Sequence, residues 1–128
     1  MLSANHLYST LDTERSTGAL NMQVVAQLRS LDSAMPGSFE QIVEQYRADA
    51  DHRIRSIQSA GQDDLARVRS EAHSLKGASA AIGAAAVARL ADNIERDADE
   101  GKWSSANAAW LRVAFTAVIP QLRSAANT

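Results

Sequence analysis

The sequence predicts an all-α protein, an antiparallel four-helix bundle with an additional short N-terminal covering helix. Three observations carry that prediction. Apolar residues recur at spacings of three and four along most of the chain, the signature of amphipathic helices. No stretch alternates apolar and polar residues as a half-buried strand would. The breaks between periodic segments are short and hold glycine or proline, so successive helices should run antiparallel.

Residues 1–19 mix Ser, Thr, Asn and Asp with isolated Leu2, Leu7 and Leu11 and hold no period, which reads as a flexible tail. The periodic domain spans 20–122. Its first helix places Leu20, Val24, Leu28 and Leu31 on one side, with Asn21 as a cap. Pro36 and Gly37 interrupt it. Ser38 can cap a long second helix whose inward positions are Phe39, Ile42, Val43, Tyr46, Ala50, Ile54 and Ile57, ending near Ala60–Gly61. Asp63 and Asp64 favour the start of a third helix, where carboxylates meet unpaired amides and the positive end of the dipole. Its buried stripe is Leu65, Val68, Ala72, Leu75, Ser79 and Ile82.

The fourth helix covers Ala84–Glu100 with Val87, Leu90, Ala91 and Ile94 as its apolar line, and Gly101 closes it. Ser104 or Ser105 can cap the fifth, whose Trp110, Val113, Ala114, Ala117 and Val118 are expected to face inward. Pro120 should kink or end that helix, since proline lacks the amide and crowds the preceding turn. Residues 123–128 are expected to fray.

Composition excludes several function classes. At 128 residues the chain is sized for one domain, and a 45% apolar content suits a packed core. Thirteen basic against fifteen acidic side chains leave a net charge of -2, so no broad positive field invites nucleic acid. Without cysteine there can be no disulfide and no thiolate metal site. The three histidines, His6, His52 and His73, form no HxxxH or HExxH spacing, and no dedicated metal site is expected. The uncharged run Gly77–Ala88, twelve residues, falls well short of the roughly 18 needed to span a membrane. The first residues lack the basic and apolar regions of a secretory signal, so the cytoplasm is the expected compartment. Because the amphipathic helices can satisfy one another, neither membrane attachment nor self-association is expected, and the chain reads as a monomer.

The chemistry concentrates in Glu71–Ala84, EAHSLKGASAAIGA. His73 follows Ala72 by one residue, about 100° round the helix, so it leaves the buried stripe. An imidazole ordinarily titrates at about 6.5 and carries a nitrogen lone pair at neutral pH, so it can accept a phosphoryl group without a separate strong base. Lys76 and Arg69, at i+3 and i-4, can lend positive charge to the added phosphoryl group. Gly77, at i+4, removes the side chain that would stand beside the imidazole and leaves room for a partner's loop. A single helical histidine is ordinarily a surface residue, and a single lysine a solvated one. Their joint occurrence with Gly77 is the informative feature.

That segment resembles the signature of the histidine phosphotransfer (HPt) domain family of multistep two-component phosphorelays, approximately His-x-Leu-Lys-Gly-x-Ser-x-x-x-Gly-Ala. His73, Leu75, Lys76, Gly77, Ser79, Gly83 and Ala84 occupy every named position, and the likeness extends over roughly Leu20–Leu122. The resemblance implies that His73 is both phosphoacceptor and phosphodonor, with Lys76 supporting the phosphoryl group. Gly77 and Ala80 would lie on the receiver-docking face, and Ala80 offers openness but no hydrogen bond to the ring. Leu75, Ser79, Gly83 and Ala84 would be structural: Leu75 orients the helix, Ser79 supports the packed side through a local backbone hydrogen bond, and Gly83 and Ala84 make the turn.

The implied function is a phosphocarrier. A receiver-domain phosphoaspartate would phosphorylate His73, which would pass the group to another receiver aspartate. The implied partners are response-regulator receiver domains and a hybrid sensor histidine kinase. No intrinsic cofactor is implied, because a divalent cation such as Mg is supplied in the receiver. With no GxxxxGK[ST] loop, ATP-dependent kinase activity is not expected. The competing readings are a phosphorylation-independent helical adaptor and the phosphorylated input domain of a chemotaxis-type kinase.

Overall fold

The computed structural model describes residues 19–126 and bears out the all-α bundle. The tail expected over 1–19 therefore lies, except for Ala19, outside the described residues. Five α-helices follow one another among the described residues: α1 (Met22–Ala34), α2 (Ser38–Ala60), α3 (Leu65–Ile82), α4 (Ala85–Asp99) and α5 (Ser105–Ala126), with a 3-10 turn at Gly61–Asp64 between α2 and α3. Helices α2 to α5 close into a ring in which α3 packs on α2 and α4, and α5 on α4 and α2, so α3 and α5 are diagonal. Helix α1 lies against α2, α3 and α5.

The core runs through the middle of the ring. Phe39, Val43, Ile54 and Ile57 of α2, Val68, Ala72 and Leu75 of α3, Val87 and Ala91 of α4, and Leu111 and Leu122 of α5 are fully enclosed. The predicted stripe of α3 is thus the buried one, with Leu65 left at its edge. Ser79 joins it as the one buried polar side chain of the described residues. Its hydroxyl does not return to the local backbone as expected. It shares a 2.8 Å hydrogen bond with the Tyr46 hydroxyl from α2. Burial pushes the Tyr46 phenol up to about 12, so it stays protonated and available to that bond. The Tyr46 ring meets Phe115 of α5 edge to face at 6.1 Å, which ties three helices together at one level.

Several helix ends differ from expectation for local reasons. Asn21 caps α1 through its side-chain oxygen, which accepts from the amides of Gln23 and Val24. Ser38 does not cap α2. Asp32, at the end of α1, reaches across the break and accepts from the Phe39 amide at 2.9 Å and the Ser38 hydroxyl at 3.2 Å. Asp64 caps α3 by accepting from the Arg67 amide, and Ser104 caps α5 by accepting from the Asn107 amide. Leu31, expected inside, is exposed, and Val25 is the buried residue of α1.

Helix α5 is the main correction. Ala108, Leu111, Phe115, Val118, Ile119, Leu122 and Ala125 face the core, whereas Trp110 and Val113 are 63% and 55% exposed and Ala117 is exposed. Of the residues expected inside, only Val118 is buried and Ala114 half-buried. Pro120 neither ends the helix nor frees residues 123–126, which stay helical with Ala125 buried. Pro120 is exposed, so the carbonyl that loses its helical amide can be hydrated.

The α3–α4 turn positions the site. Gly83 has φ +85, and the Gly83 and Ala84 amides donate to the Ala80 and Ser79 carbonyls, the pattern of a glycine-closed helix end. Helix α1 presses on this turn. The Asn21 amide donates to the Gly83 carbonyl at 2.7 Å, and the Ala86 amide to the Ala19 carbonyl at 3.3 Å. A Cβ on Gly83 would stand 3.0 Å from both the Asn21 carbonyl oxygen and Val25 Cγ2. Left-handed backbone strain and that crowding act together, so Gly83→Ala is expected to lower unfolding free energy by about 2–3 kcal/mol in urea titration. An unchanged midpoint would contradict this account of the turn.

Candidate functional site

The antiparallel hairpin α3–α4 carries the site, and its register follows from the tight turn. With the turn centred on Ala84, residues equally distant from it on the two sides come level. Three pairs obey this: His73 and Glu95 stand eleven residues from Ala84, Lys76 and Asp92 eight, and Arg69 and Asp99 fifteen. In each pair the α4 member is a carboxylate.

His73 projects from α3 with 69% of its side chain exposed, while Glu95 has only 13% exposed. His73 Nδ1 lies 2.8 Å from Glu95 Oε2. Lys76 Nζ sits between two carboxylates, 2.7 Å from Glu95 Oε1 and 3.3 Å from Asp92 Oδ1. The shorter contact is an ion pair set off the hydrogen-bond direction, so Glu95 Oε1 is buried with charge neutralisation but no aligned donor. Asp92 is shared in turn with Arg96, whose Nη2 lies 2.6 Å from Oδ2.

The charges reinforce one another. Lys76 first, and His73 to a smaller extent, hold the Glu95 carboxyl below its ordinary value against the opposing effect of burial. The Lys76 ammonium is pushed up chiefly by Glu95 and then by Asp92. Glu95 is therefore ionised at neutral pH and can only accept hydrogen bonds. A neutral His73 ring facing it must carry its proton on Nδ1, which leaves the Nε2 lone pair directed away from Glu95. The arrangement orients the imidazole and fixes the tautomer of its neutral form.

Of the predicted site residues, His73, Arg69, Gly77 and Ala80 are exposed on α3 with Lys76 half-buried beside them, and Leu75, Ser79, Gly83 and Ala84 lie inside. Gly77 and Ala80 are exposed on the same helix as His73, and a Cβ built on Gly77 would meet nothing within 4 Å. Glycine is thus not required there by internal packing. Arg69 lines an open cleft with Ser70, His73, Ser74 and Glu95, but its guanidinium is ion-paired with Asp99. Lys76 is engaged by Glu95 and Asp92 rather than standing free beside the imidazole. Leu75 and Ala84 are fully buried. Among the described residues no group of three His, Cys, Asp or Glu side chains could hold a metal ion, and no helix is long and apolar enough to cross a membrane. Glu95 and Asp92 were not among the residues singled out from sequence, although their symmetry about Ala84 was a signal that could have found them.

Comparison with known proteins agrees with this architecture. The Hpt domain family model matches residues 41–125, more than half of the chain. Histidine-containing phosphotransfer protein B (HptB) from Pseudomonas aeruginosa PAO1 superposes with a TM-score of 0.74 at 26% identity, over 85% of this chain and 95% of that one. A candidate histidine-containing phosphotransfer protein from rice superposes with a TM-score of 0.66 at 22% identity, over 96% of this chain and 89% of that one. Ypd1p gives 0.62 at 21%, over 66% of this chain and 53% of that one. The last two bear on the fold alone. No curated protein sequence matches the chain significantly.

The pairing of Glu95 has a consequence in acid. As pH falls, the unfolded chain takes up the Glu95 proton near the ordinary 4.5 and the folded chain only at a lower value. The stabilisation is present above that ordinary value and is lost as pH falls through the folded one. In urea titrations across pH, Glu95→Gln is expected to be less stable than the unaltered protein at neutral pH, and the gap should narrow below about pH 4.5. A gap independent of pH would contradict the ion pair.

Proposed function

The chain belongs to the histidine phosphotransfer (Hpt) domain family of phosphorelay proteins, and on that premise we propose that His73 is the residue that carries the phosphoryl group. The single observation that supports this most is the His73–Glu95 contact, which leaves Nε2 as the free nitrogen on an exposed surface.

In the proposed reaction a receiver domain bearing phosphoaspartate docks over His73. The Nε2 lone pair attacks phosphorus in line with the acyl oxygen, the N–P bond forms, and the P–O bond breaks with its electrons passing to the receiver carboxylate. The ring retains its Nδ1 proton and becomes a phosphorylated imidazolium, whose positive charge Glu95 offsets at contact distance. That charge also makes the ring a good leaving group, so the same arrangement serves return transfer to a second receiver. Lys76 supports the site by keeping Glu95 ionised, and it adds a positive charge beside the carboxylate that holds the ring. Arg69 adds positive charge at the edge of the cleft. The divalent cation that assists at the aspartyl end would arrive with the receiver. A hybrid sensor kinase carrying such a receiver suits the upstream role, with the exchange set in the cytoplasm.

Docking needs a low, open surface. Gly77 and Ala80, with the exposed Ala81 beside them, supply one next to His73. The open space around Gly77 supports a clearance role for it rather than a packing one.

Time-resolved transfer of labelled phosphate from a panel of phosphorylated receivers tests the proposal. Label should reach the unaltered protein in an acid-labile bond and return to a receiver, and His73→Gln should take up none. Gly77→Leu should keep its helical circular dichroism, because nothing stands within 4 Å of the added carbon, and should slow transfer about 10-fold or more. Label on His73→Gln would overturn the assignment, as would receivers that bind stably and never transfer. Undiminished transfer by Gly77→Leu would remove the clearance role.

A further inference from the structure

We propose that Asp99 is a positioning residue for the transfer: it holds the Arg69 guanidinium in the resting protein and yields it to the phosphoryl group once His73 carries one. The inference deepens the reading of His73 as the phosphoryl carrier and rests on it. Two cations of α3 flank His73, Lys76 in the turn after it and Arg69 in the turn before it, and each faces an α4 carboxylate. They differ in how readily they can leave.

Lys76 is committed. Its ammonium lies 2.7 Å from Glu95 Oε1, an oxygen that is buried with no hydrogen-bond partner among the described residues. A lysine that moved away would leave a nearly buried carboxylate without its compensating charge. Arg69 and Asp99 form an exposed pair instead, with 59% and 50% of their side chains accessible. Such a pair is held weakly, because water solvates both groups almost as well when they are apart. The contact is made through Nε, and the terminal amino groups of a guanidinium form a fork that suits phosphoryl oxygens.

Position favours Arg69 as well. Side chains of a helix lean towards its N-terminus, so the His73 ring covers the turn that holds Arg69 rather than the one that holds Lys76. The cleft beside the ring is lined by Arg69, Ser70, His73, Ser74 and Glu95. Phosphorylation brings about two negative charges there, where the carboxylates of Glu95 and, one turn further along α4, Asp99 already stand. Arg69 answers that charge by exchanging its pair with Asp99 for one with the phosphoryl group. Asp99 remains a competitor, so the phosphorylated state gains only the difference between the two pairs and the group stays transferable. No covalent bond beyond those of the transfer itself is made or broken.

The equilibrium of the full chain with one phosphorylated receiver tests this, read as the ratio of labelled phosphohistidine to labelled phosphoaspartate. That ratio is a property of the separated proteins, so a change in docking or in fold stability alone leaves it where it was. Asp99→Asn should raise phosphohistidine about 5-fold and Arg69→Gln should lower it about 5-fold, both with unchanged helical circular dichroism. Arg69→Lys, which keeps the charge, should stay within about 2-fold of the unaltered protein. In the Arg69→Gln background, Asp99→Asn should have no further effect. A ratio indifferent to Arg69→Gln overturns the inference while leaving His73 as the carrier. An Asp99→Asn effect that survives without Arg69 also overturns it, because Asp99 then acts by direct repulsion. An unaltered protein that takes up no label from any receiver overturns the reading of His73 and this inference with it.

Discussion

One carboxylate, Glu95, governs the chemistry that this bundle can do. It is nearly buried, and a buried anion is tolerated only when charge and hydrogen bonds compensate it. Here Lys76 supplies the charge and His73 the donor, both from the neighbouring helix. The lysine is therefore as much a requirement of Glu95 as an asset of the imidazole. Because Glu95 stays ionised, the imidazole has one favourable tautomer and one exposed nitrogen. An uncharged residue at that position could accept the same hydrogen bond but could not balance the charge that phosphorylation places on the ring.

The packing behind the site keeps those groups in register. Helix α3 has two faces with different work. Val68, Ala72, Leu75, Ser79 and Ile82 fix it in the core, and His73, Gly77 and Ala80 stand on the solvent side. Rotation about its axis is opposed by full burial of Leu75 and by the Tyr46–Ser79 hydrogen bond, since either would lose its surroundings if the helix turned. Translation along the axis is opposed at the turn, where Gly83 closes α3 and the backbone leading into α1, at Ala19 and Asn21, bonds to it. The short first helix, remote from the chemistry in sequence, thus helps set which residue of α4 meets the imidazole.

The legible and illegible parts of the sequence divide on physical grounds. The stripe of α3 and the position of His73 beside it follow from helical periodicity within one segment, and the glycine closing α3 from local backbone chemistry. The HPt-like motif could be recognised because its members lie within a single helix and turn. Glu95 could not be read in the same way, because its meaning depends on the register between two helices. Helix α5 failed for a different reason: it carries two apolar stripes, and periodicity alone does not say which one packs. Phe115, Leu111 and Leu122 fill more of the interior than Trp110 and Val113 would, and the bundle takes the first set. Asp32 escaped notice because it caps the helix that follows its own, across the Pro36–Gly37 break.

The central claim is that Glu95 fixes the proton on His73 Nδ1 and leaves Nε2 to bond phosphorus. Nitrogen-detected NMR of the imidazole, before and after phosphorylation by a receiver, tests it most directly. In its neutral form the resting ring should carry its proton on Nδ1, and phosphorus coupling should appear at Nε2 after phosphorylation. A resting proton on Nε2, or phosphorus bonded to Nδ1, would contradict it.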